Sequence, residues 1–101
     1  MYRQGDVWII PMTLPNSLKL KKLDKRGAVL AEGEATGHAH VAMGKNVKLY
    51  EDNKGVLWLS CPTKTPVKHE EHATITLPKG DYKIVHQREW TDEMEPRHVA
   101  D

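Results

Sequence analysis

The segment "VKLYEDNKGVLWLSC", Val47 to Cys61, reads as a β-hairpin and sets the pattern for the whole chain. Two short runs of leucine, valine and aromatic residues flank Asp52-Asn53-Lys54-Gly55, residue types that favour a chain reversal. Neither run is long enough to be an ordinary helix, and both are bounded by turn residues. Outward from this hairpin the same punctuation recurs. "ATITL" alternates strictly, and Pro78-Lys79-Gly80-Asp81 turns it into "YKIVHQREW". On the N-terminal side, "AVLAEGE" and "HAHVAM" read as two strands joined through Ala35-Thr36-Gly37. "GDVWIIP" reads as a strand buried on both faces and ended by Pro11, and "PTKTP" as a proline-bounded connection.

This pattern predicts a mainly β fold: a small antiparallel β-barrel, roll or sandwich of about seven or eight short strands, with little helix. The 101 residues form a single expected β domain, 1–101, with a basic loop around 12–27 and a polar tail at 91–101. There is no internal repeat and no low-complexity segment. Phenylalanine is absent, so Trp8, Trp58, Trp90, Tyr2, Tyr50 and Tyr82 must supply the aromatic packing. The hydrophobic fraction of 39% implies a thin core, which makes a homo-oligomer the expected assembly. Cys61 is the one cysteine, so an internal disulfide and a thiolate metal cage are both excluded. It follows an apolar run and is expected to be buried. No apolar run approaches the roughly 20 residues of a membrane-spanning helix, and the first residues do not read as a signal peptide. A cytoplasmic location without membrane contact is expected.

The histidines carry the chemical interest. Side chains alternate along a strand, so His38 and His40 share one face of "HAHVAM". Two co-facing imidazoles can converge on one ion, but a site needs a third ligand. The candidates are His69, His72, His86, Glu32, Glu34, Glu70 and Glu71. Among them the sequence favours His72 or His86 as the partner of His38 and His40, with a divalent transition metal as the implied cofactor. His86 shares an inward-looking face with Tyr82, Ile84, Arg88 and Trp90, and Arg88 disfavours a second positive charge beside it. In "HEEH", His69 and His72 are three apart, which puts them on one side of a turn but not of a strand. Glu70 and Glu71 read as ordinary exposed charges.

Two resemblances follow from these motifs. His38 and His40, followed by Pro78 and Gly80, resemble the motif order of the cupins, small β-barrels whose His-x-His pair binds metal. Gly44 and Lys45 stand where that family has its glutamate, and Lys83 stands where it has a third histidine. The resemblance therefore implies a β-barrel more than cupin metal chemistry. A second resemblance covers more of the chain. Gly33, Thr36, Gly37, His38 and His40, then His69, Glu71 and His72, then Leu77, Pro78, Gly80 and Tyr82, then Gln87, Arg88 and Glu89, are similar to a recurring pattern in small uncharacterised bacterial and phage proteins. That resemblance implies mobile-element or gene-cassette cargo and supplies no mechanism.

Other chemistry has less support. "KLKKLDKR" carries Lys19, Lys21, Lys22, Lys25 and Arg26, which on a loop could track a phosphate backbone. No aromatic residue interleaves with them, and a nucleic-acid partner is not the favoured expectation. No nucleophile elbow, phosphate loop or dinucleotide fingerprint is present. The leading expectation is a small soluble binding or assembly module for an unidentified protein or small-molecule ligand, with no assignable catalysis. The metal-binding barrel stands second.

Overall fold

A computed structural model of the chain describes residues 1–33 and 37–87. Ten strands are formed among these residues: β1 (Tyr2–Gln4), β2 (Val7–Pro11), β3 (Lys19–Lys21), β4 (Ala28–Glu32), β5 (Ala39–Ala42), β6 (Lys48–Glu51), β7 (Leu57–Cys61), β8 (Thr65–Lys68), β9 (Ile75–Leu77) and β10 (Gly80–His86). They build a six-stranded sheet in the order β1-β2-β10-β7-β6-β3 and a four-stranded sheet in the order β4-β5-β8-β9. All pairs are antiparallel. The two sheets do not close into a barrel, so of the three expected architectures a roll or sandwich describes the molecule.

The Val47–Cys61 hairpin forms as expected, with Leu49 opposite Leu59 and Tyr50 opposite Trp58. Asp52 organises its turn. One carboxylate oxygen accepts the Lys54 and Val56 amides at 2.8 and 3.0 Å, and the other accepts the Trp58 indole N–H at 3.2 Å. Desolvation pushes the Asp52 carboxyl up, but the hydrogen bonds outweigh it and hold the pKa below the usual value.

The pleat sends alternate side chains of each strand inward. Val7, Ile9, Leu49, Leu59, Cys61, Tyr82 and Ile84 of the larger sheet meet Ala28, Leu30, Ala42, Val67 and Leu77 of the smaller one in a single core. Trp58 lies on the opposite side of β7 from Leu57, Leu59 and Cys61, with the Lys83 ammonium 5.9 Å from its ring centroid. The Arg3 guanidinium similarly covers Trp8, 4.8 Å from the ring centroid. Tyr82 is thus the aromatic residue of the core cluster, and Tyr2 packs against it edge-on.

Several expectations need correcting. β2 is not buried on both faces: Val7 and Ile9 are buried, whereas Trp8 and Ile10 are half-exposed and Pro11 is exposed. The connection read from "PTKTP" is partly strand, because Thr65–Lys68 forms β8 and the Pro66 carbonyl accepts the Met43 amide at 2.9 Å. Proline lacks only the donor, so it can still serve the sheet as an acceptor. The strand count exceeds seven or eight because β1 and β8 are too short to show a period. β10 is described only to His86, and Arg88, Trp90 and the expected tail at 91–101 lie outside the described residues.

Leu59 is fully buried and Leu20, on the edge strand β3, is 65% exposed. Leu59→Ala is expected to cost about 2–5 kcal/mol in urea unfolding, and Leu20→Ala no more than about 0.5 kcal/mol. Equal costs would contradict this placement of the core.

Candidate functional site

The histidines gather where the β1–β2 turn meets β5 and the loop between β8 and β9. β5 is an interior strand of the smaller sheet, and it holds His40 buried at 3% exposure, opposite Ala31. The pairing of β4 with β5 is irregular between Val29 and Ala31, beside this histidine, a placement typical of bulges near functional groups. His38 precedes β5 and is half-buried. His69 to His72 form the bend between β8 and β9, so both rings turn to the same side, 4.6 Å apart.

His69 is the centre of the arrangement. Its ring centroid lies 5.7 Å from that of His38 and 4.3 Å from that of His40. His72 stacks on His40 at 5.9 Å with the planes 16° apart. The ligand atoms of His38, His69 and Glu70 all lie within 4.8 Å of one another. A tetrahedral site with bonds of about 2.0–2.1 Å needs donors about 3.4 Å apart, which modest side-chain rotation would supply.

Of the expected set His38, His40, His72 and His86, only His38 belongs to that compact trio. His40 and His72 are adjacent, while His86 stands apart and faces Asp6, with Nε2 and the carboxylate 3.3 Å apart. The charged neighbour described for His86 is therefore this carboxylate, since Arg88 lies outside the described residues. Asp6 was not singled out from the sequence, and nothing in its "GD" turn signal marks it as more than a hairpin residue. The sequence offers His69 as a third ligand but favours His72 or His86 over it. The signal for it was the three-residue spacing of "HEEH", which becomes decisive once that segment is a bend.

The acids of "HEEH" are more than exposed charges. Glu70 accepts the Ala39 amide at 2.9 Å, tying the β8–β9 loop to the start of β5. That hydrogen bond, followed by the one from its own amide and by the nearby histidines, holds the Glu70 carboxyl below its ordinary pKa. The Glu71 amide donates to His69 Nδ1 at 3.0 Å, and the Glu71 carboxylate lies 3.8 Å from His38 Nδ1.

Two glycines make the close packing possible. Gly5, at φ +60°, occupies the left-handed region in the β1–β2 turn, and a Cβ there would sit 2.7 Å from His72 Nε2. A Cβ on Gly44 would meet the Thr65 hydroxyl at 2.6 Å, so this position lets β5 and β8 approach.

The basic segment is elsewhere, along the β3 edge. Lys19, Lys21, Lys22, Lys25 and Arg26 are all exposed. Lys21 pairs with Glu51 at 3.5 Å, and Arg26 pairs with Asp24 at 3.0 Å and Glu32 at 3.6 Å. The Arg26 hydrogen bond lowers the Asp24 pKa to about 2. These carboxylates offset part of the charge that a phosphate backbone would meet. Cys61 is buried as expected, and burial pushes its thiol above the ordinary pKa. No helix among the described residues is long and apolar enough to cross a membrane.

A family described as a domain of unknown function, DUF8820, matches residues 3–87. The chain belongs to this family. No curated protein and no solved structure matches it. The matched region of this DUF8820 protein spans β2 to β10, all of β1 but Tyr2, and every histidine described above.

Burial, followed by the charge of His69, pushes the His40 pKa from 6.5 down to about 4, while Asp6 opposes the shift. The unfolded chain therefore binds more protons than the folded one between these values. The contribution is fully present above about pH 6.5 and is lost as pH falls toward 4, with a size up to about 3 kcal/mol. Urea midpoints of metal-free protein should fall through this window, with much of the slope removed in His40→Asn. Constant midpoints between pH 6.5 and 4.5 would contradict a buried neutral His40.

Proposed function

We propose that this DUF8820 protein is a small binding module whose ligand is a divalent transition metal. His38, His69 and Glu70 are the donors, with His40 and His72 packed beside them. One observation carries this reading: three donor atoms from two separate segments lie within 4.8 Å of one another. Mixed imidazole and carboxylate donors suit zinc and its first-row neighbours. Glu70 Oε1 accepts the Ala39 amide, which holds the carboxylate beside the two histidines. An ion on His69 Nδ1 would displace the Glu71 amide, which lies at an exposed position and can turn to water.

The mobile-element setting, the cytoplasmic location and the homo-oligomeric state are separate expectations of the sequence and do not enter the metal reading.

Tag-free protein is expected to take up Zn²⁺ or Co²⁺ and to be stabilised by it. Free metal at roughly 100 times Kd should add about 2.7 kcal/mol. His69→Ala should weaken this binding at least about tenfold. Protein that is neither loaded with nor stabilised by added Zn²⁺, Co²⁺ or Ni²⁺ would overturn the proposal.

A further inference from the structure

Among the described residues β4 pairs with β5 alone, so the smaller sheet ends there in an open edge. Three other strands stand at sheet edges: β1, β3 and β9. Short length, charge and proline are devices that keep an edge from pairing with another chain, and these three strands use them. Each is three residues long; β1 carries Arg3, β3 carries Lys19 and Lys21, and β9 runs into Pro78. β4 is five residues long, and its first four are Ala-Val-Leu-Ala. Its one interruption is the irregular step between Val29 and Ala31.

The surface beside this edge is apolar. An open cleft between β4 and the larger sheet is lined by Val29, Leu49, Leu57 and Leu23, together with Lys21 and Lys22. Val29 and Leu57 are half-buried and Leu23 is 39% exposed, so the folding of one chain leaves apolar surface at this place.

The charges at the two ends of β4 say what covers it. Lys25 and Arg26 precede the strand and Glu32 ends it. A strand that is basic at one end and acidic at the other is complementary to a second copy of itself laid antiparallel, whereas a parallel pair sets like charges together. Antiparallel pairing centred on Val29 brings Arg26 of each copy beside Glu32 of the other. Arg26 already reaches Glu32 of its own chain at 3.6 Å, and the Glu32 side chain is 68% exposed. Exchanging that exposed contact for the same contact between copies sacrifices little.

We propose that two copies of the chain pair antiparallel through β4. The smaller sheets then join into one eight-stranded sheet, in which β9-β8-β5-β4 of one copy continues into β4-β5-β8-β9 of the other. The contact is isologous, so it closes after two copies and consumes both open edges. Main-chain hydrogen bonds make the pairing, as in strand addition to a sheet edge, and Leu23 and Leu57 of both copies are covered beside it. β4 supplies none of the His38, His69 and Glu70 donors, so the dimer stands independently of the metal reading.

Sedimentation equilibrium of the tag-free chain in EDTA, over a wide range of concentration, reads the association without bridging metal. A monomer–dimer equilibrium with no larger species is expected. Arg26→Glu and Glu32→Arg should each weaken the dimer at least about tenfold, because each sets like charges at both symmetric contacts. An equimolar mixture of these two variants should form a heterodimer of wild-type stability, since one copy is then acidic at both ends of β4 and the other basic. Pairing of residues 26 and 32 within one chain cannot produce that rescue. Both side chains are exposed, and far-UV circular dichroism matching wild type shows that the variants fold. A dimer that neither reversal weakens uses another surface and overturns the proposal. Weakened variants that form no heterodimer overturn it too, as do open-ended oligomers. Monomeric wild type also overturns it, and amide exchange then names the alternative. Slow exchange at the outer β4 amides means that other residues of the same chain cover the edge, and fast exchange means that it is left for a different protein.

Discussion

The Gln4 side chain is the constraint on which the rest of the arrangement depends. It stands on β1 at the edge of the larger sheet, yet all three of its hydrogen bonds run to the smaller sheet and its loop. A buried amide with an unpaired atom costs about 1–3 kcal/mol, so these partners are held together or lost together. By joining β5, β8 and the β8–β9 loop, Gln4 fixes the distance between His40 and the "HEEH" bend. It also brings the next two residues, Gly5 and Asp6, under the histidines. Gly5 supplies the absence of a side chain that His72 needs, and Asp6 supplies a charge.

From that anchor the local chemistry follows in a definite order. Burial removes the proton from His40, and Gln4 decides which nitrogen keeps the remaining one. The Gln4 nitrogen donates to the Val67 and Ala73 carbonyls, so its oxygen accepts and His40 Nδ1 must donate. The Glu70 carboxyl is held below its ordinary pKa by the Ala39 amide of β5, and a carboxylate oxygen lies within 4.8 Å of the His38 and His69 ring nitrogens. Each polar group is therefore oriented by backbone it does not belong to. Such support distinguishes an organised cluster from histidines scattered over a polar sheet face. The core contributes little shape to the site beyond setting the spacing of the two sheets.

Much of the fold was legible in the sequence because its signals are local. The Asp52–Gly55 turn specifies the β6–β7 pair without knowledge of the rest, whereas "ATITL" and the Pro78 turn mark only where β9 ends and β10 begins, since these two strands lie in different sheets. β1 and β8 escaped because three or four residues cannot display a period, and Pro66 argued against a strand that needs it only as an acceptor. The site was half legible. Strand alternation points to His38 with His40, but His38 precedes β5, and the donors that lie beside it, His69 and Glu70, depend on a bend. "HEEH" changes from scattered to convergent when it leaves the strand. Asp6 and Gln4 were invisible, since their roles arise from the meeting of two sheets and from no pattern along the chain.

The tautomer of His40 tests the central claim most directly. Long-range nitrogen–proton correlation spectra of ¹⁵N-histidine-labelled, metal-free protein distinguish the two neutral forms and protonated imidazolium. His40 is expected to carry its proton on Nδ1 at pH 7 and to stay neutral well below pH 6, as a pKa near 4 requires. An Nε2–H form, or titration near pH 6.5, would contradict the control that Gln4 is assigned over this site.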